Sequence, residues 1–299
     1  MLSLSITVVG VRDQGHVLEG PFHLRPALPS PAASGARRAA IGGLLAGYLV
    51  ALVAGEAAVV FVNPVLVFAI HGSIVAAILL AIAFGVTRSV ADHVDPLAGA
   101  LLVPPLIRLI SLTLPLAQLE PIWRYAVAGV PMLVAALLVA RAAGLSRMDI
   151  GLQWRASVWQ LVAIVGSVGL GAVEFAILRP APLGPLPWFV ASVAPALILG
   201  LSTGLPEEVI FRGLLQTAVR PILGWFTVVY VAAVFAALHI GYRCLTDLAF
   251  VFVVGLIYGV VFERSRSIVG VAIGHGVANV VLFFVAPNLA LVLPSINLP

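Results

Sequence analysis

The sequence predicts an all-α fold, a polytopic transmembrane bundle of about ten helices. Hydrophobic residues make up 62% of the 299-residue chain and charged residues 9%, whereas a soluble domain holds about 25% charged residues. No soluble packing hides that much apolar surface, and the mean hydropathy is +1.17. The apolar residues also run in near-continuous stretches of the length, about 20 residues, that a bilayer-spanning helix needs. Only helices or closed barrels are tolerated in hydrocarbon, and nothing here alternates with the period of two that a barrel strand requires.

Taken in order, residues 1–36, with Pro21, Pro26, Pro29 and Pro31, read as a loosely structured leader. Met1 to Gly10 is apolar but has no basic segment before it and no cleavage site ahead of Arg12 and Asp13, so no signal peptide is expected. The chain ends Asn297-Leu298-Pro299, so no prenylation box of its own is expected. Apolar runs read against breakers predict helices near 39–62, 64–87, 97–118, 125–140, 157–177, 187–203, 205–220, 224–241, 245–262 and 267–286. The polar segment from Arg141 to Arg155 divides N-terminal helices, 37–155, from a C-terminal region, 156–299, that is richer in intramembrane polar groups. A break is expected at Gly204 to Pro206. A single helix over 189–219 would be roughly 46 Å long in a hydrocarbon core of about 30 Å. The break is also expected to bring Glu207 and His239 to one level.

All sixteen basic residues are Arg, and the pI of 9.8 reflects few acids rather than a basic face. Short pairs such as Arg37-Arg38 do not make a nucleic-acid surface, so the expected partners are membrane lipid and a peptide or membrane-protein substrate, with no nucleic acid. The lone Cys244 excludes an intramolecular disulfide and a cysteine-cluster metal site, and reads as a small core residue.

Ionisable residues inside a membrane cost at least about 2.5 kcal/mol each on insertion scales, which makes them candidates for function. The densest set is Pro206-Glu207-Glu208-Val209-Ile210-Phe211-Arg212-Gly213. Glu208 and Arg212 are four apart, acid before base, and predict a structural ion pair. Glu207 is turned about 100° away and is left for chemistry. Further on, Phe235 and His239, then His275 and Asn279, also stand four apart and share a helix face. Glu56, His71, Arg108 and Glu174 lie in other predicted spans and read as buried partners for one another. Gly200-Leu201-Ser202-Thr203-Gly204 matches a nucleophile-elbow pattern, but in an apolar helix its small residues suit close packing.

The triple pattern Glu-Glu-x-x-x-Arg, Phe-x-x-x-His and His-x-x-x-Asn resembles the CPBP family, which contains CAAX proteases and bacteriocin-processing enzymes. The likeness covers roughly 187–286, including Phe211-Arg212-Gly213 and the run from Gly255 to Ser267. It implies an intramembrane endopeptidase with catalytic Glu207, His239, His275 and Asn279. Glu207 and His239 would activate a water, while His275 and Asn279 would hold the oxyanion or the water. Family members are usually described as metalloproteases, and Glu207, His239 and His275 make an acceptable zinc set. The expected activity is hydrolysis near the end of a lipidated or membrane-bound peptide. The alternatives are a proton-coupled transporter, in which the same residues relay protons, and a catalytically silent scaffold. The expected location is the cell membrane, multi-pass, with a cytoplasmic N-terminus and the mouth of the site toward the cytoplasm.

Overall fold

In a computed structural model, the chain is described over residues 31–85, 93–184 and 189–292. It divides into two compact units, 1–39 and 40–299. Of the leader expected over 1–36, residues 1–30 lie outside the described residues, and 31 onward is helical. All of the packing that follows belongs to the second unit.

The fold is an all-helical bundle with no strand among the described residues. The helices are α1 (Pro31–Phe61), α2 (Pro64–Ala83), α3 (Pro96–Thr113), α4 (Pro121–Ala142) and α5 (Val158–Leu178). They are followed by α6 (189–223), α7 (Phe226–Ala237), α8 (Leu245–Ser265) and α9 (269–292). Among the described residues seven helices are long and apolar enough to cross a membrane, and the segment Phe226–Tyr242 is a shorter apolar helix. Large apolar side chains such as Leu44, Phe61, Val65 and Phe226 point outward, as lipid requires of the surface.

Local chemistry sets the helix ends. Pro64, Pro96 and Pro121 each open a helix, where a missing N–H costs nothing. Asn63 and Asp95 cap α2 and α3 by accepting from Leu66 N and Leu97 N, both at 2.8 Å. Cys244 sits at the N-cap of α8 and is half-buried, so it is a helix-end residue rather than the core residue expected.

The expected break at Gly204 to Pro206 is absent. Residues 189–223 form one rod with no gap, and Gly204 (φ −57°, ψ −49°) and Leu205 (φ −69°, ψ −50°) are both helical. Pro206 removes one donor, and the rod adjusts through wide π turns over Gly200–Gly204 and Val209–Gln216 instead of stopping. The π segments keep every residue in helical conformation, so the chain never leaves the bundle axis. Near its end α6 meets the loop before α5, where Thr217 Oγ1 lies 3.4 Å from both Asp149 O and Arg212 O.

The two ends of the bundle are distinct. At one end the start of α3 meets the end of α4 through Val94 N and Ala142 O, and the loop before α5 meets the loop before α9 through Ile268 N and Gly151 O. At the other, Arg108 of α3 reaches Leu238 O after α7, and Arg243 reaches Val60 O near the end of α1. The central rod α6 buries Val209, Ile210, Phe211, Leu214 and Leu215, each at most 1% exposed. Backbones approach closely where it crosses α9: a Cβ on Gly204 would stand 2.5 Å from Ala272 O and 2.8 Å from Gly276 N.

Candidate active site

Turning back at Gly224, α6 and α7 form an antiparallel hairpin. Glu207 is seventeen residues before that glycine and His239 fifteen after it, so at 1.5 Å per residue both lie roughly 22–26 Å from the turn. The hairpin alone brings them level, and the break was not needed.

Glu207, His239, His275 and Asn279 all line one cavity of about 360 Å³, together with Glu174, Thr203 and Tyr258. A second compartment of about 370 Å³ shares Glu207, His239, Ser111, Met132 and Tyr242 with the first, and adds Arg108 and Phe211. The Glu207 and His239 side chains thus stand at the junction of two compartments. They make no hydrogen bond to each other among the described residues. The nearest ionisable partner of Glu207 is His275, with Oε2 3.7 Å from Nε2, a gap wider than a hydrogen bond.

Behind this cavity lies a sealed polar network. Glu208 Oε1 accepts from Arg212 Nη1 at 3.0 Å and from His275 Nδ1 at 2.9 Å, and the Glu208 and Arg212 side chains are fully buried. Arg212 also donates to Gly255 O at 3.1 Å and lies over the rings of Phe235 and Tyr258 at 5.0 and 5.6 Å. Tyr258 is tied to Ser167 of α5 by a 2.7 Å hydrogen bond. Because a carboxylate only accepts, the Nδ1 of His275 carries a proton, and its Nε2 faces Glu207. His239 is set the same way: its Nδ1 lies 2.9 Å from the Phe235 carbonyl, so its Nε2 is left for the cavity.

Glu208 with Arg212 and His275 with Asn279 keep their spacing within helices, while His239 stands in the turn just past the end of α7, and the contacts between helices add what the spacings did not contain. Glu208 supports His275 as well as Arg212. Asn279 Nδ2 donates to Thr203 Oγ1 at 2.8 Å. Thr203 was read only as a small packing residue, although it stands four before Glu207 on the same face, which was a legible signal. Of the other intramembrane groups, Glu56, Arg108 and His71 do meet. Arg108 pairs with Glu56 through Nε at 3.0 Å and through Nη2, and His71 Nε2 lies 3.4 Å from Glu56 Oε1. Arg108 also donates to Leu238 O at 3.2 Å, next to His239. Glu174 is not part of that cluster and stands on the cavity wall instead.

The donor chemistry of Glu207, His239 and His275 matches what zinc accepts, with each imidazole held through its other nitrogen. The arrangement does not gather them. Among the described residues no group of three His, Cys, Asp or Glu lies close enough together to hold a metal ion, so the residues as placed do not form a zinc centre.

A helical membrane protein with a Glu, two His and an Asn lining one cavity, and a second Glu behind it, has the makings of an intramembrane hydrolase. Residues 188–281 match the family described as Type II CAAX prenyl endopeptidase Rce1-like. The match covers about a third of the chain and supports the likeness of this region to the CPBP family of CAAX proteases. No curated protein and no solved structure is significantly similar to the chain.

Proposed function

We propose that the protein is an intramembrane endopeptidase that hydrolyses a peptide bond of a membrane-associated peptide or protein, a lipidated CAAX-type chain end being one such substrate. The observation that carries the reading is the convergence of Glu207, His239, His275 and Asn279 on a single cavity. Glu207, whose side chain is 24% exposed toward that cavity, is the general base. It takes a proton from a water held between it and the Nε2 of His239. The hydroxide adds to the scissile carbonyl, whose oxygen becomes an oxyanion and accepts from Asn279 Nδ2. As the C–N bond breaks, the proton held by Glu207 passes to the leaving amine, giving one new carboxylate and one new amine. With Nδ1 committed to Glu208, His275 turns Nε2 toward Glu207 and the water beside it.

With α6 unbroken, the arginine count supports the opposite orientation of the mouth from the one expected. Arg141, Arg147, Arg155, Arg220, Arg264 and Arg266 fall at the bundle end that holds the start of α3 and the end of α4. Arg124, Arg179 and Arg243 fall at the other. The Arg-rich end is placed in the cytoplasm, with the N-terminus. Ser111, Leu116, Tyr125, Leu178 and Tyr242 line the cavity and belong to the opposite end, so the site opens away from the cytoplasm.

The test is the appearance of a shortened peptide in vesicles containing purified protein, read by mass spectrometry. Glu207→Gln keeps size and hydrogen bonding but cannot take the proton, and should lose about 10² to 10⁴ in rate while folding normally. A scaffold would be indifferent to the change, and a transporter would lose flux with no peptide cut. Cleavage that survives Glu207→Gln overturns the mechanism. A parallel arm with a zinc chelator asks separately whether a metal takes part.

A further inference from the structure

Thr203 holds two hydrogen bonds whose protons can be counted. Its Oγ1 donates to the Leu199 carbonyl at 2.7 Å, and Asn279 Nδ2 donates to the same Oγ1 at 2.8 Å. A hydroxyl has one proton, and a carbonyl can only accept. The Thr203 proton is therefore spent on Leu199, and toward Asn279 the hydroxyl is an acceptor. Asn279 must turn its NH₂ group, not its oxygen, to Thr203. One Nδ2 hydrogen is used there, and the second is available to the cavity that both residues line. At 7% exposure Thr203 is sheltered from water that could compete for either bond.

The backbone explains why this hydroxyl is aimed so well. Thr203 lies in the π segment Gly200–Gly204, and in the same segment Ser202 donates back to Ile198 O at 2.6 Å. Such back-bonded hydroxyls bend a helix and fix their own rotamer. The adjoining Gly204, pressed against the α9 backbone, fixes the distance across which Thr203 and Asn279 meet.

We propose that Thr203 is a positioning residue that locks the Asn279 amide as a donor aimed at the oxyanion. The inference rests on the endopeptidase reading given above. Without the hydroxyl the amide is free to turn over and present its oxygen, which repels the developing charge instead of stabilising it.

The experiment is a kinetic comparison in vesicles with one peptide substrate. Thr203→Val should lower kcat about tenfold or more with KM nearly unchanged, because the amide acts only once the oxyanion forms. Thr203→Ser, which keeps both bonds, should stay within about twofold of wild type, and so should Ser202→Ala, which removes the neighbouring back-bond without touching Asn279. Asn279→Ala should lose about 10² in kcat. The double variant Thr203→Val/Asn279→Ala should be no slower than Asn279→Ala alone, since Thr203 acts through that amide. If Thr203→Val does not accumulate, Thr203→Ala removes the hydroxyl without added bulk, and the same outcome is expected. The proposal is overturned if loss of the hydroxyl leaves kcat at the wild-type value, or if it slows Asn279→Ala by a further factor of its own. A wild-type rate in Asn279→Ala would instead sink the oxyanion assignment itself, a result distinguishable from a slow Asn279→Ala beside a fast Thr203→Val.

Discussion

Exchanging Glu208 for Gln removes one negative charge from a fully buried site. Glu208 Oε1 receives both Arg212 Nη1 at 3.0 Å and His275 Nδ1 at 2.9 Å, and the Glu208 and Arg212 side chains are fully buried. Removing one partner of a buried ion pair strands the other charge, at a cost of about 3–5 kcal/mol. Arg212 keeps its bond to Gly255 O and its place over Phe235 and Tyr258, which puts the loss toward the lower end of that range. Even about 3 kcal/mol is a large share of a total stability of about 5–15 kcal/mol. The assay is abundance in membranes and thermal unfolding in detergent, with cleavage measured on whatever folds. Glu208→Gln should fall in abundance and melt lower, and Glu208→Gln/Arg212→Met, which removes both charges, should regain most of the loss. A Glu208→Gln protein with wild-type abundance and melting but no cleavage would refute the reasoning and make Glu208, not Glu207, the base.

Three further outcomes follow from the packing. Gly204→Ala should destabilise by about 1–3 kcal/mol, because the new methyl meets Ala272 O and Gly276 N, which are backbone atoms; an unchanged melting temperature would mean that α6 and α9 are not in close contact. Glu56→Gln should lower stability and Glu56→Gln/Arg108→Gln should restore it in the same melting assay, since Glu56 is fully buried against Arg108 and His71. Outside the membrane, the Ser146 hydroxyl at 2.6 Å and its N–H at 2.7 Å hold the Asp149 carboxyl below the usual range. A lowered folded pKa adds stability that is present above the unfolded value of about 3.9 and is lost as pH falls through the lower folded value. The melting difference between wild type and Ser146→Ala should thus be flat through neutral pH and shrink only in strong acid.

The helices were legible because each is written locally. Pro64, Pro96 and Pro121 mark starts, and the long apolar runs permit nothing else in lipid. The pairs Glu208 with Arg212, and Phe235 with His239, were legible for the same reason, since a spacing of four fixes a shared face whatever the surroundings. What joins one helix to another was not. Thr203 with Asn279, Ser167 with Tyr258, and Arg108 with Leu238 O depend on how each rod is rotated about its axis. That rotation is set by where glycines let backbones touch, and a glycine in an apolar run looks the same on any face.

The treatment of α6 shows how a sound magnitude can support a wrong step. A rod of this length does exceed a hydrocarbon core of about 30 Å, but excess length is relieved by projecting past the bilayer, and it does not require a break. Pro206 looked like the breaker; inside protein its lost hydrogen bond is absorbed by π turns on either side. The consequence reaches function through parity. One fewer crossing before Glu207 leaves the fold and the cavity unchanged, yet it moves Arg220, Arg264 and Arg266 to the same side as Arg141 and Arg147. The charge asymmetry becomes larger, which supports the proposal that the site faces away from the cytoplasm. Labelling of single cysteines placed beside Arg147 and beside Arg179 with a membrane-impermeant reagent in intact cells tests this directly. Reaction is expected only near Arg179, and reaction only near Arg147 would restore the cytoplasmic mouth.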